Sequence, residues 1–193
     1  MKGTTQQTDA APLDMTTIDS TLQDIAIRPG DEHYVAASTT FMGVGEPAII
    51  IGARDAVDVK AAIRLAVDEG LVLSVRSGGH SALGHGTNTG GVVLDLSGIN
   101  SVEVLDPAAG IVRAGTGATW GSVADTLADH GLALTSGDTK SVGVGGLTLG
   151  GGMGWMIRKY GLTIDALHAV DLVTADGTEL RASADEHPDL FWA

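Results

Sequence analysis

The sequence predicts an α+β fold on three observations. A β-α-β unit opens near Glu46, antiparallel hairpin signals follow it, and glycines gather into two loops. A doubly wound sheet would repeat the crossover unit and not turn to hairpins. The 28 glycines among 193 residues are about twice the ~7% of an average protein.

Residues 1–28 are polar, with few clustered apolar positions, and read as a mobile tail or a short arm packed on the surface. Ala48 to Ile51 is a short apolar strand. Asp55 is placed to cap a helix running through Glu69, with Val59, Ile63 and Val67 on one face and Gly70 at its end. Leu71 to Val75 completes the crossover unit. Three further strands are predicted at Val92–Leu96, Ser101–Leu105 and Ile111–Ala114, with Asp106-Pro107 and Gly110 shaping the last turn. A second helix starts at a Thr119 cap and runs to His130, apolar at Trp120, Val123 and Leu127 and closed by Gly131. Asp176-Gly177 is a two-residue hairpin signal between Ala169–Val173 and Glu179–Arg181.

Composition removes several function classes. The chain carries 24 Asp and Glu against 11 Lys and Arg, whereas a nucleic-acid binder needs a basic face to displace counterions. The same excess weighs against adhesion to an anionic membrane. There is no cysteine, which removes disulfides, thiolate metal sites and cysteine nucleophiles. Residues 1–14 lack the basic-then-apolar order of a secretory signal, and no run reaches the ~20 apolar residues of a membrane span. A cytoplasmic location is the expectation. His80 and His85, five apart with no third ligand type nearby, do not read as a metal site.

The first glycine loop, Arg76-Ser77-Gly78-Gly79-His80-Ser81, directly follows a strand. Consecutive glycines let backbone amides turn towards an anion with no Cβ in the way. The same six residues also read as a tight turn with an incidental histidine. The second loop holds Gly143, Gly145, Gly146, Gly150, Gly151, Gly152 and Gly154. A flexible linker would pair them with serine and other polar residues. Their companions are instead Val142, Val144, Leu147, Leu149, Met153, Trp155 and Met156, which predicts burial and a close approach to this backbone. Neither loop is a dinucleotide fingerprint or a P-loop: the Gly-x-Gly pairs lead to Trp120 and Thr148, and Lys140 follows Thr139 and not glycine.

With Gly91 to Ser97, Gly115 to Gly121, the stretch from Gly145 through Leu162, and Asp189 to Ala193, these loops resemble the berberine-bridge-enzyme-like oxidases of the vanillyl-alcohol oxidase and p-cresol methylhydroxylase flavoprotein family. The resemblance covers about residues 45–193. It implies an FAD-binding domain of two small α+β subdomains with FAD between them. Arg76, Ser77, Gly78, Gly79, His80 and Ser81, with Gly84 on the same loop, would hold the diphosphate side. His80 would join the 8α-methyl carbon of the flavin through its ring, and Gly143, Gly145, Gly146, Thr148 and Gly152 would pass along the cofactor on its other side. Some relatives add a second linkage through a cysteine three residues before the position of Val142; Thr139 stands there, so a single linkage is expected. Relatives continue beyond the position of Ala193 with the end of the flavin domain and a substrate domain, so no catalytic residue is assigned in this chain. The resemblance implies oxidation of an alcohol, sugar or phenolic compound, with hydride passing to flavin and then to oxygen. A non-catalytic flavin-binding fragment and a non-covalent reductase of the same fold are the alternatives. A separate chain carrying the substrate domain, or self-association, is the implied partner.

Overall fold

The computed structural model describes residues 18–193. Residues 1–17, which contain most of the expected tail, lie outside the described residues. The rest of that expectation changes. Ser20–Ile25 forms a turn of 3-10 helix, capped where the Asp19 carboxylate accepts from the Thr21 N–H, and Ala26–Ile27 is a strand, β1. Ile18 and Leu22 are buried in the core and not laid on the surface, packed with Ile49, Ile51, Leu65 and Leu94 in one cluster. A short helix α1 (Tyr34–Ser38) and a tiny hairpin, β2 (Thr39–Thr40) with β3 (Gly43–Val44), follow.

The first sheet has the order β1-β4-β6-β5, from β4 (Ile49–Gly52), β5 (Leu73–Arg76) and β6 (Val92–Asp95). β1 is antiparallel to β4, and the other pairs are parallel, with Ile49 and Leu73 both opposite Val92. Ile49, Ile50, Ile51, Val92, Val93 and Leu94 are all buried, as a central parallel strand covered on both faces requires. Helix α2 (Ala56–Asp68) crosses from β4 to β5, with Asp55 accepting from the Val57 and Asp58 N–H groups as its predicted cap. Its buried stripe is Asp58, Ala62, Leu65 and Ala66; Val67 is exposed, so the predicted Val59-Ile63-Val67 face is rotated by about one residue. Two alanines on the inner stripe let the helix approach the sheet closely. The buried Asp58 is tolerated because the Arg54 guanidinium and backbone N–H both donate to it, at 2.8–3.1 Å.

A second core lies around α3 (Trp120–Ala128). It is built on the hairpin of β7 (Val102–Asp106) and β8 (Ile111–Ala114), with Trp120, Val123 and Leu127 buried as the spacing predicts. Thr119 is the cap. The second glycine loop is not irregular throughout: Val144–Leu149 forms a short helix, α4. Val142, Val144 and Leu147 pack on the second core, but Leu149, Met153 and Trp155 are exposed, so the expected burial of the loop's apolar residues holds only for its first part. A four-residue helix α5 (Ile157–Tyr160) leads to the predicted hairpin, β9 (Ala169–Val173) with β10 (Glu179–Ser183), and then to α6 (Pro188–Phe191).

Two measurements check this packing. Leu22→Ala removes a fully buried side chain and is expected to cost about 2–5 kcal/mol, read as a lower urea midpoint; an unchanged midpoint would mean the arm does not seal the core. The Arg54 hydrogen bonds hold the Asp58 carboxyl below its ordinary value of 3.8, against the opposing effect of burial. A depressed carboxylate contributes its full stabilisation above the unfolded pKa and loses it as pH falls through the folded one. Urea midpoints should therefore drop as pH is lowered below about 4, and Asp58→Asn should flatten that part of the profile. An identical acid limb in the variant would remove Asp58 from the account.

Candidate functional site

Parallel strands β5 and β6 end at the same edge of the sheet, where ligands of open α/β sheets commonly bind. Their last residues, Arg76 and Asp95, are register partners and form an ion pair. Arg76 Nε donates to Asp95 Oδ2 at 3.1 Å, Nη2 donates to the same oxygen, and Asp95 Oδ1 accepts from the Ser97 N–H. Arg76 is only 6% exposed, and its Nη1 has no hydrogen-bond partner among the described residues. A buried guanidinium nitrogen without an acceptor is an open demand for an anionic or carbonyl oxygen.

The chain leaves β5 through Ser77 and Gly78 and meets the second loop. A Cβ on Gly78 would lie 2.3 Å from the Gly143 nitrogen, and one on Gly143 would meet Ser77 Oγ and Gly78 N. Ser77 Oγ donates to the Thr116 carbonyl at 2.6 Å. The second loop is tied to the same segment: Trp120 N–H donates to Val142 O, Val144 N–H to Ala118 O, and Gly145 N–H to Thr116 O. Three chain segments thus converge on one point.

Past this junction sits His80, half-buried. Its Nδ1 is 2.8 Å from the Gly78 carbonyl oxygen and its Nε2 is 3.1 Å from Ser141 Oγ. Phe41 stacks on the imidazole with ring centroids 5.3 Å apart, and the Phe41 N–H donates to Gly79 O. The backbone N–H groups of Gly78, Gly79, His80 and Ser81 donate to no protein acceptor among the described residues. Gly78 and Gly79 border a cleft lined also by Arg76, Ser77, Asp95 and Ser141. A separate apolar hollow of about 240 Å³ beside Trp120, Leu127 and Met156 shares no lining residue with the cleft.

The expected site residues divide between these places. Arg76 to Gly79 line the cleft, and His80 and Ser81 continue from it. Gly84 closes the turn, donating its N–H to Ser81 O at a φ of +74°. Gly143 is at the junction, Gly145 lies against Thr116 Oγ1, and Gly146 faces open space. Thr148 and Gly152 are not brought to the cleft. The Thr148 hydroxyl donates to Val144 O within α4, and a Cβ on Gly152 would strike the side chains of Thr163 and Leu147. His85 is exposed. Sequence reasoning missed Asp95, Phe41 and Ser141. Asp95 follows an apolar run opposite Arg76 and is recoverable once the strands are paired, whereas Phe41 and Ser141 reach His80 only through the tertiary fold.

The family model described as an FAD binding domain matches residues 47–183. The chain belongs to that family. It is 41% identical over 174 residues to (R)-6-hydroxynicotine oxidase of Paenarthrobacter nicotinovorans, covering 89% of this chain and 38% of the relative. The crystal structure of 6-hydroxy-D-nicotine oxidase from Arthrobacter nicotinovorans superposes with a TM-score of 0.84 at 40% identity, over 87% of this chain and 37% of that one. A glucooligosaccharide oxidase structure from Acremonium strictum, with a 6-S-cysteinyl, 8α-N1-histidyl FAD, gives 0.81 at 33% identity, over 87% and 36%. The chain therefore spans well under half the length of these relatives, which are FAD-linked oxidases of the vanillyl-alcohol oxidase and berberine-bridge-enzyme-like group.

The cleft fits the diphosphate of FAD in its donor chemistry. Arg76 Nη1 lacks an acceptor, the Gly78 and Gly79 N–H groups that border the cleft donate to no backbone acceptor among the described residues, and the paired glycines keep side chains out of the way. Arg76→Lys keeps the charge but gives up the planar fork, and should raise the FAD Kd about tenfold, the equivalent of one hydrogen bond to a charged group. Flavin fluorescence titration reads this, with circular dichroism confirming the fold. An unchanged Kd would leave Arg76 a purely structural partner of Asp95.

Proposed function

We propose that this chain carries FAD covalently through His80 and serves as the cofactor-holding part of an oxidase acting on an alcohol, sugar or phenolic compound. One observation carries the reading: an imidazole held on its edges and one face stands directly after a loop of free amides and a buried, under-satisfied arginine. FAD, when bound, would accept hydride from a substrate C–H bond and pass the electrons to oxygen. Arg76 and the Gly78–Ser81 amides would hold its diphosphate. Ser77, Gly143 and Gly145 would keep the loops together, Gly84 would close the turn, and Gly146 would leave room beside α4.

Support for the linkage comes from the histidyl attachment in glucooligosaccharide oxidase. That protein also carries a cysteinyl bond, for which this chain has no residue, since cysteine is absent and Thr139 takes the expected place. The oxidase reading draws on relatives named for oxidation of a nicotine derivative and of oligosaccharides. A neutral imidazole is a competent nucleophile through its unprotonated ring nitrogen. No general base for substrate is assigned among these residues. Residues 1–193 alone should be a weak oxidase.

Wild-type protein loaded with FAD, denatured in acid and washed, should keep its flavin fluorescence, and digestion should give one flavin-bearing peptide, containing His80. His80→Ala should release all flavin on denaturation. Acid-stable flavin in that variant, or a second labelled peptide, would refute the assignment; complete release from the wild type would leave a non-covalent FAD protein.

A further inference from the structure

A carboxylate stands where an anion would be better received without one. Asp95 lines the cleft beside Arg76 and Ser97, in a chain that already carries a formal charge of −13. By charge alone it opposes the binding of a diphosphate. Its contacts give it another use. Asp95 is the register partner of Arg76 across β5 and β6. Its Oδ2 accepts from Arg76 Nε at 3.1 Å and from Nη2, while Oδ1 accepts from the Ser97 N–H at 2.8 Å. The carboxylate is thus fixed by backbone through one oxygen and holds the guanidinium through the other. A guanidinium is planar and rigid, so fixing Nε and Nη2 also fixes the direction of Nη1. Packing limits the rest of the side chain: a Cβ on Gly79 or Gly86 would lie 3.4 or 3.6 Å from Arg76 Cδ, so the loop backbone closes over the stem. Nη1 is left without a partner among the described residues.

We propose that Asp95 is a positioning residue for the diphosphate of FAD, acting through Arg76: it gives up attraction by charge and fixes the guanidinium nitrogen that the ligand meets. This rests on the FAD reading above, though not on the covalent linkage, and adds to it a residue that works through its neighbour. A neutral ion pair with an aimed donor recognises a group by where its oxygens lie, as in a diphosphate diester, and not by total charge. Asparagine does not replace the aspartate. A carboxamide has a single oxygen, whereas Arg76 and the Ser97 N–H each require an acceptor, on different oxygens of Asp95. In Asp95→Asn one of those donors faces an NH2 group, and the guanidinium loses its fixed direction.

Direction and charge predict opposite signs. Asp95→Asn makes the chain one charge less negative, so charge alone would tighten FAD binding, whereas lost direction should raise the Kd about tenfold, as Arg76→Lys does. Flavin fluorescence titration of residues 1–193 reads the Kd, and the urea midpoint reports the fold. Because Asp95 acts through Arg76, the double variant Arg76→Lys/Asp95→Asn should bind about tenfold more weakly than wild type and not about a hundredfold. Asp95→Glu keeps the charge and moves the acceptor by one methylene; it is expected to raise the Kd about threefold or more, and it decides the matter if Asp95→Asn does not fold. Unchanged or tighter binding by Asp95→Asn overturns the proposal, as does unchanged binding by Asp95→Glu. Losses that multiply in the double variant also overturn it, giving Asp95 an effect independent of Arg76. Absence of FAD binding by the wild type instead overturns the FAD reading, and this inference with it.

Discussion

The whole site hangs on two glycines that touch backbone to backbone. Gly78 and Gly143 approach so closely that a methyl group on either would collide with the other's main chain or with Ser77. No side chain can be smaller, so this approach is available only to glycine. Each loop is anchored to a different core: Arg76 is tied to Asp95 at the end of the parallel sheet, and the second loop is laced to residues 116–120 beside α3. The glycine contact therefore joins two cores as well as two loops. Ser77 reaches Thr116, and Ser141 reaches His80, only because that contact exists.

The charge of the chain works against its ligand. A formal charge of −13 repels a diphosphate at long range, although salt screens exposed charges beyond about 8 Å at physiological ionic strength. Within the cleft Arg76 does not supply a free positive charge, because Asp95 neutralises it. What the ion pair supplies is direction: two guanidinium nitrogens are spent on Asp95 and the third is left pointing to no acceptor among the described residues. The remaining attraction comes from backbone N–H dipoles fixed by the fold, which require no net charge. Local orientation outweighs the overall field because oriented donors act at contact distance, where hydrogen bonds to charged groups contribute about 1.5–3 kcal/mol each.

Local chemistry was legible wherever a residue acts on its own neighbours. The Asp55 and Thr119 caps, the Asp176-Gly177 turn and the buried stripe of α3 stand where spacing placed them. The loop from Arg76 to His80 was less so: by itself it read equally as a tight turn with an incidental histidine, and the family resemblance singled it out. What sequence did not carry were choices made by tertiary packing. The inner face of α2 is centred on Ala62, Leu65, Ala66 and the Asp58 carboxylate, with Val59 only partly buried and Val67 exposed, and Leu22 enters the core from a stretch too polar to draw notice. Thr148 and Gly152 entered the candidate site through the family resemblance; in the fold the Thr148 hydroxyl donates to Val144 O, and a Cβ on Gly152 would meet Thr163 and Leu147. Phe41 and Ser141 carry no local signal, since each matters only through a ring brought to it by distant chain.

The central claim, that one ligand is held across the junction of the two glycine loops, is tested most directly by amide hydrogen exchange with and without FAD. Free amides in an open cleft exchange quickly, and occupation by a ligand slows them. The account predicts that FAD protects residues 77–81 and 141–146 together, with little change at the apolar hollow beside Trp120, Leu127 and Met156. Protection confined to one loop, or centred on that hollow, would contradict it.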